Sequence, residues 1–244
     1  AQGHGEQSLT MTRARSASRR RAGSNAARAR RRLHLLISAG PTREPIDAIR
    51  FVSNYSTGFM GACLAQEALR RGHRVTVVSG PSEISMPSGA TVVHVERARQ
   101  MQAALQRVLP SADALVMAAA VSDFEPVRIS TGKWARAGQR VLRLRATPDL
   151  VGTLPPRPSQ LIIGFALETR NVVAQARRKL RAKRLHAIVG QQMSGQGRPF
   201  GARPVRAWLI RADGTVRSLG QSAKATVARA VLDEIGRLWY GASR

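Results

Sequence analysis

The sequence predicts an α/β protein: a Rossmann-like, doubly wound, mostly parallel sheet carrying a small flap and hairpin. Three observations carry that prediction. Short apolar runs alternate with helix-length segments of mixed polarity along most of the chain, the rhythm of β-α-β crossovers. Residues 114–119 (ALVMAA) are apolar throughout, as in a strand covered on both faces. The first strand runs directly into a glycine-bearing loop and a helix start, the arrangement by which α/β proteins build anion pockets.

Taken in order, residues 33–38 (LHLLIS) form that first strand, which breaks at Ala39-Gly40-Pro41 into a polar loop. The loop closes with Ser56-Thr57-Gly58 and Gly61. A helix over 58–71 is expected there, from Met60, Cys63, Leu64, Ala68 and Leu69 at helical spacing, with Gly72 ending it. The glycine spacing is not G-x-G-x-x-G, so the loop reads equally as an anion cradle or a plain turn. A strand over 74–79 stops at Gly80-Pro81. A further strand over 91–95 and a helix over 98–109, terminated by Pro110, lead to the apolar strand 114–119.

Ligands in such sheets bind beyond the carboxyl ends of the strands, so those ends are the place to look. Small residues after Met117, namely Ala118 and Ala119, let a flat ring or ribose approach the backbone. Asp123 just beyond can accept hydrogen bonds from hydroxyl or amino groups, or simply hold a turn. Residues 130–138 (STGKWARAG) form a polar loop between glycines, expected to be a mobile flap carrying Lys133, followed by an alternating strand over 141–145. Pro148, Asp149, Leu150 and Val151 open a short helix with proline in its first turn. A buried strand over 161–165 ends in Gly164-Phe165. The helix over 171–185 puts Lys179 and Lys183 on one face, among Arg177, Arg178, Arg181 and Arg184, so a solvated basic face is equally open. The chain then continues as a strand over 186–189, a loop to 204, a hairpin around Asp213-Gly214, and a helix over 222–239.

Composition bounds the function. A chain of 244 residues suffices for one full core. No apolar run approaches the ~18 residues of a membrane span. The single cysteine, Cys63, excludes a disulfide framework and cysteine-based metal centres, and the five histidines show no H-E-x-x-H spacing. The net charge of +26 draws attention to nucleic acid, and nine arginines against one acid fall within residues 1–34. Residues 1–32 lack periodicity and are expected to be disordered, resembling a transit peptide in composition, with Met11 inside. Such a segment can bind nucleic acid only non-specifically, through phosphates. The remaining residues, 33–240, read as one domain. Only Lys133, Lys179, Lys183 and Lys224 among the forty basic residues are lysine, and the first three are expected to be kept for function, as compact cations that can follow a phosphate.

Over residues 34–239 the sequence resembles the phosphopantothenate–cysteine ligase family, the synthetase half of the bifunctional coenzyme A biosynthesis protein. The resemblance rests on AGPTREPIDAIRFVSNYSTGFMG, RGHRVTVVSGP, AAAVSDFEP, TPDLV and GFALET. It implies a ligase that joins 4′-phosphopantothenate to L-cysteine through an acyl-cytidylate, with CTP as cosubstrate, Mg2+ assisting, and ATP used by some members. By resemblance, Asn54 handles the activated acyl group, with Ser56 and Gly58 on the acyl-substrate side, and Lys133 supports cytidylate formation from the flap. Met117, Ala118, Ala119, Asp123, Pro148, Asp149, Leu150, Val151 and Phe165 match the nucleotide pocket, and Lys179 and Lys183 its basic helix. The resemblance further implies a cytoplasmic homodimer. No decarboxylase domain accompanies these residues, which suggests a free-standing synthetase or an excised half, with a separate flavin-dependent decarboxylase as a partner.

The sequence departs from the family pattern at three places. Phe59 stands where the family usually has lysine, Trp134-Ala135-Arg136 follow the flap lysine in place of further lysines, and Gly190-Gln191-Gln192 replace Ala-Asn-Asp. Two rivals remain. A nicotinamide-dependent reductase would want Tyr-x-x-x-Lys, and neither Tyr55 nor Tyr240 has lysine four residues on. A nucleotide- or RNA-binding protein on a lapsed ligase fold would keep affinity without turnover.

Overall fold

The computed structural model describes residues 31–136, 138–193 and 200–241. The arginine-rich segment expected over residues 1–32 lies almost wholly outside them. The first strand, β1 (His34–Ala39), is buried at every residue, and its side chains alternate between two cores: Leu35 and Ile37 join one, Leu36 the other. Burial on both faces requires helices on both faces. In chain order there follow β2 (Glu44–Pro45), β3 (Phe51–Val52), helix α1 (Phe59–Arg70), β4 (Arg74–Ser79), β5 (Thr91–His94), α2 (Ala98–Val108) and β6 (Ala114–Met117). Then come β7 (Phe124–Pro126), β8 (Leu144–Ala146), β9 (Leu161–Glu168), α3 (Val172–Ala182), β10 (Ala187–Gln192), β11 (Val205–Arg211), β12 (Val216–Ser222) and α4 (Lys224–Gly241).

The main sheet has the order β12-β11-β10-β9-β6-β1-β4-β5. From β5 to β10 neighbouring strands are parallel, and the β11–β12 hairpin extends the β10 edge antiparallel. The chain winds one way from β1 through β4 to β5 and the other way from β6 onward. This is the Rossmann-like, doubly wound sheet, and β1 beside β6 is its switch point, where such folds open a crevice.

Two helices cover each face. Leu64 and Ala68 of α1 and Val227, Val231 and Ile235 of α4 bury Ile37, Val77 and Val116. Met101 and Leu105 of α2, with Ala176 and Leu180 of α3, bury Leu36, Leu115, Ile162 and Ile188. Each such fully buried aliphatic side chain contributes about 1.5–3 kcal/mol relative to exposure. The helix α1 starts at Gly58, which adopts φ 78°, and Gly61 lies so close to β1 that a Cβ there would sit 2.4 Å from the Ala39 Cβ.

Three expectations are corrected. Residues 147–151 do not open a helix. Hydrogen bonds from Thr153 N to Asp149 O (3.2 Å) and Leu154 N to Val151 O (3.2 Å) close turns, and Gly152 followed by Pro155-Pro156 stops propagation. The strand expected over 141–145 shrinks to β8, which pairs only with β7, as a ribbon apart from the main sheet. The helix expected over 171–185 ends at Ala182, with Lys183 at its cap.

Candidate functional site

A cavity of about 710 Å³ lies over the carboxyl ends of the strands at the switch point. Backbone geometry fixes its frame. Pro41 and Ala120 bridge the ends of β1 and β6, Ala120 N donates to Gly40 O (2.9 Å), and Ala119 N donates to Ser38 Oγ (3.2 Å). Ser122 N donates to Thr42 Oγ1 (2.9 Å) and Thr147 Oγ1 donates to Ser122 O (2.6 Å), which sets the position of Asp123 between them.

The structure brings most of the expected residues to this one cavity. Met117, Ala118, Ala119 and Asp123 line it from the end of β6, and Phe165 from within β9. Pro148, Asp149, Leu150 and Val151 form the wall made by the turn after β8, and Ser56 and Gly58 border it at the start of α1. Lys179 and Lys183 reach it from α3, but each is held by a carboxylate. Lys179 Nζ lies 2.8 Å from Glu168 Oε1, and Lys183 Nζ donates to Asp149 Oδ1 at 3.0 Å. Burial alone would raise the Asp149 carboxyl. The Lys183 ammonium and the Gly152 N–H outweigh that and hold it below the usual aspartate range. An incoming anion would therefore compete with two carboxylates for these lysines.

Two expected residues stand off the cavity wall. Asn54 does not line it; its Nδ2 donates to Ala120 O and its Oδ1 accepts from Ser56 N (3.0 Å), so it ties together two residues that do. Lys133 is exposed on the flap and is likewise absent from the wall. The flap is anchored beside it. Ser130 N donates to Ile46 O (3.0 Å), Trp134 N to Asp47 Oδ2 (3.0 Å), and Arg50 Nη1 to Trp134 O (3.3 Å). Asp47 is buried, and burial by itself would raise its carboxyl. The N–H groups of Trp134, Ile49 and Arg50 and the Arg50 guanidinium reverse this and hold it far below the ordinary range.

Residues outside the expected set also line the cavity: Thr57, Phe59 and Met60 around the start of α1, Gln191 of β10, Phe200, and Lys224. Thr57 Oγ1 and Gln191 Nε2 are buried without a hydrogen-bond partner. Lys224 is only 5% exposed. Lysine scarcity was the signal that could have found it.

An open parallel sheet with an apolar-walled, lysine-bearing crevice at its switch point defines a Rossmann-like α/β protein equipped to hold an anion. The chain belongs to the family described as the DNA/pantothenate metabolism flavoprotein C-terminal domain, whose model matches residues 31–238. It is 38% identical over 208 residues to the coenzyme A biosynthesis bifunctional protein CoaBC of Bacillus subtilis, covering 84% of this chain and 51% of that protein. It is also 37% identical over 205 residues to a cysteine/cysteine sulfinic acid decarboxylase of an unknown prokaryotic organism, covering 82% and 57%. The chain spans about half the length of the curated relatives it matches. Among solved structures, the C-terminal domain of a CoaBC protein superposes with TM-score 0.74 at 35% identity, covering 86% of this chain and 97% of that one. A Cab2 H337A mutant in complex with phosphopantothenate-cysteine shares the fold, with TM-score 0.68 at 16% identity and 90% of each chain covered.

Proposed function

We propose that the chain is a phosphopantothenate–cysteine ligase, which joins 4′-phosphopantothenate to L-cysteine through an acyl-cytidylate while CTP becomes CMP and pyrophosphate. The observation that carries this reading is the cavity itself. Small residues and Phe165 at strand ends suit a base and ribose, and the lysines suit phosphates. Family membership supports it, as do relatives named for coenzyme A biosynthesis and a neighbour of the same fold holding phosphopantothenate-cysteine.

In this reading the carboxylate of phosphopantothenate attacks the α-phosphate of CTP and pyrophosphate leaves. The amine of cysteine then attacks the acyl carbon, CMP departs, and the new amide nitrogen gives up its proton. Met117, Ala118, Ala119, Asp123 and Phe165 hold the nucleoside against the turn at Pro148, Asp149, Leu150 and Val151. Lys179 and Lys183 exchange their carboxylates for phosphate oxygens. Lys133 meets the phosphate charge when the flap comes down, and exclusion of water by that closure protects the mixed anhydride. Asn54, Ser56 and Gly58 serve the acyl substrate, Asn54 as a neutral amide that cannot compete as a nucleophile.

Among the described residues no group of three or more His, Cys, Asp or Glu side chains could hold a metal ion. Mg2+ fits here as an ion carried by the triphosphate, with Asp123 as the nearby carboxylate. It supplies neutralisation of phosphate charge. The reading extends to a homodimer, to a decarboxylation step upstream by a flavin-dependent partner, and to work in the cytoplasm. No helix among the described residues is long and apolar enough to cross a membrane.

The test is pyrophosphate release from CTP, with ATP in parallel, in the presence of 4′-phosphopantothenate, and amide formation on adding cysteine. Correctly folded protein that releases pyrophosphate from neither nucleotide would refute the ligase reading.

A further inference from the structure

The parallel strands have a second edge, and a different set of side chains meets there. β1, β4 and β6 begin side by side, with His34 opposite Arg74 and Leu35 opposite Ala114. A groove of about 470 Å³ opens over these amino ends, a strand length away from the cavity at the carboxyl ends. Arg31, Arg32, Arg74 and Arg157 line it, and Asp113 is the one carboxylate in its wall. Both Asp113 oxygens are taken: Oδ2 accepts from His34 N (2.8 Å), and Oδ1 lies 3.3 Å from the Arg31 guanidinium. Arg31 is set in place by the end of α4, with its guanidinium over Trp239 at 5.2 Å and its carbonyl accepting from the Tyr240 hydroxyl (3.0 Å). Arg157 Nη2 donates to Ala112 O (3.2 Å). A guanidinium carries five N–H donors, so one such bond leaves most of them unspent.

Arg74 supplies the observation that points to a ligand. Its Nη2 lies 2.7 Å from His34 Nδ1, and Nδ1 also lies 2.7 Å from Ser111 O. The guanidinium needs a lone pair on Nδ1, whereas the carbonyl needs a proton there. A neutral imidazole nitrogen cannot offer both, and a charged ring would set a second cation against Arg74. Thr76 Oγ1, 2.9 Å from Nε2, can donate or accept and so does not decide the tautomer. With His34 only 6% exposed, its ring has no solvent to turn to. An oxyanion in the groove resolves the conflict: it takes the Arg74 N–H groups and leaves Nδ1–H to Ser111 O.

We propose that this groove is a binding site for a small, multiply charged oxyanion of the phosphate class, gripped by Arg31, Arg32, Arg74 and Arg157. Planar guanidinium groups match phosphate oxygens two at a time, and several of them around one concave site suit a compact anion. Among the described residues the wall holds no Phe, Tyr or Trp on which a nucleobase could stack. The phosphate comes from one of two sources, free phosphate or pyrophosphate, or the phosphate group of a monoester. The site goes beyond the ligase reading and does not depend on it, because that chemistry belongs to the opposite edge of the sheet.

Titration of the full chain with inorganic phosphate, pyrophosphate and glycerol 3-phosphate tests the site, with citrate as a control that lacks phosphate. The readout is the 15N spectrum of the histidine rings, which separates this groove from the cavity at the other edge. Pyrophosphate should move His34 Nδ1 toward its protonated position. Arg32→Gln combined with Arg157→Gln, at two exposed positions, should raise the midpoint of that response by about tenfold or more. Lys179→Gln combined with Lys183→Gln should leave it where it was. A lower midpoint for phosphate or pyrophosphate than for glycerol 3-phosphate assigns the site to the free anion, and the reverse order assigns it to a monoester. A His34 signal unmoved by every phosphate probe overturns the proposal, as does an unchanged midpoint in the arginine variant. Citrate acting at the same concentration as pyrophosphate overturns the phosphate class. Should the arginine variant not fold, the His34 response of wild type decides. Wild type that shows this response yet never forms product would sink the ligase reading and leave the groove site standing, and product formed without the response would do the opposite.

Discussion

Asp47 is the residue on which the flap turns. It accepts from the backbone N–H groups of Ile49 (2.9 Å), Arg50 (2.8 Å) and Trp134 (3.0 Å), and Trp134 immediately follows Lys133. In the proposed chemistry Lys133 acts only if the flap is held in reach of the phosphate. Lys133→Gln should therefore abolish pyrophosphate release, and Asp47→Ala should lower it by about tenfold to a hundredfold with Lys133 intact, because misplacing a catalytic group costs that much. Equal rates in wild type and Asp47→Ala would show that the anchor has no part in turnover. Asn54→Ala removes one donor and one acceptor, each worth about 1 kcal/mol net, so the melting temperature should fall by several degrees along with amide formation. At this scale the sequence was partly legible. Scarce lysine drew attention to Lys179 and Lys183, which do meet in one cavity, and to Lys133, which stands off its wall, while Lys224, which lines it, was not among the three expected to be kept for function. Asp47 left no local trace, since its contact with Trp134 spans 87 residues.

The start of α1 shows how an element carries a site. Gly58 adopts φ 78° and Gly61 brings the helix against Ala39, so the helix N-terminus can sit directly over the strand end. A methyl group at residue 61 has no space short of the Ala39 Cβ, 2.4 Å away. Gly61→Ala should therefore destabilise by about 1–3 kcal/mol, as overpacking does. It should also weaken ligand binding, because α1 must shift away from the cavity. Urea denaturation and titration on the same variant check both, and an unchanged stability would mean that the helix slides without cost. Apolar runs made the parallel strands and long helices readable, since burial on both faces leaves a continuous signature. Short elements were less so. The turn at residues 149–153 has a helix-like start, and only the distribution of Gly152, Pro155 and Pro156 beyond it limits the structure to a single turn.

At the scale of the whole molecule, the flap ribbon raises the question of what covers it. A two-stranded ribbon is marginal alone, and Phe124, Val127, Ile129 and Leu144 on and beside β7 and β8 are exposed, as are Ile49 and Phe51 around β3. β2 and β3 contact β7, so these side chains belong to one region. A second copy is the occupant that the homodimer reading supplies, and Ile129→Asp should yield a monomer by light scattering if it is right. Neither the pairing of β7 with β8 nor the grouping of these side chains was legible in the sequence, because periodicity reports burial along one element and not which neighbour is missing.

The response to acid also belongs to the whole molecule. Burial lowers the pKa values of His34, His73 and His186 from 6.5, so the folded state binds fewer protons than the unfolded chain as pH falls below that value. The Arg70 and Arg71 guanidinium groups bring Glu67 from 4.5 down to about 2, and Glu125, Asp149 and Asp213 are also lowered. Both sets have the same sign: stability present at neutral pH is lost as pH falls through the folded values. Denaturation midpoints should therefore decline in two stages, first below pH 6.5 as the histidines charge, then from about 4.5 toward 2 as the carboxylates are protonated. A midpoint that stays level between pH 6.5 and 4.5 would remove the histidine contribution, and replacing His34 by Gln should make that stage shallower while leaving the second unchanged.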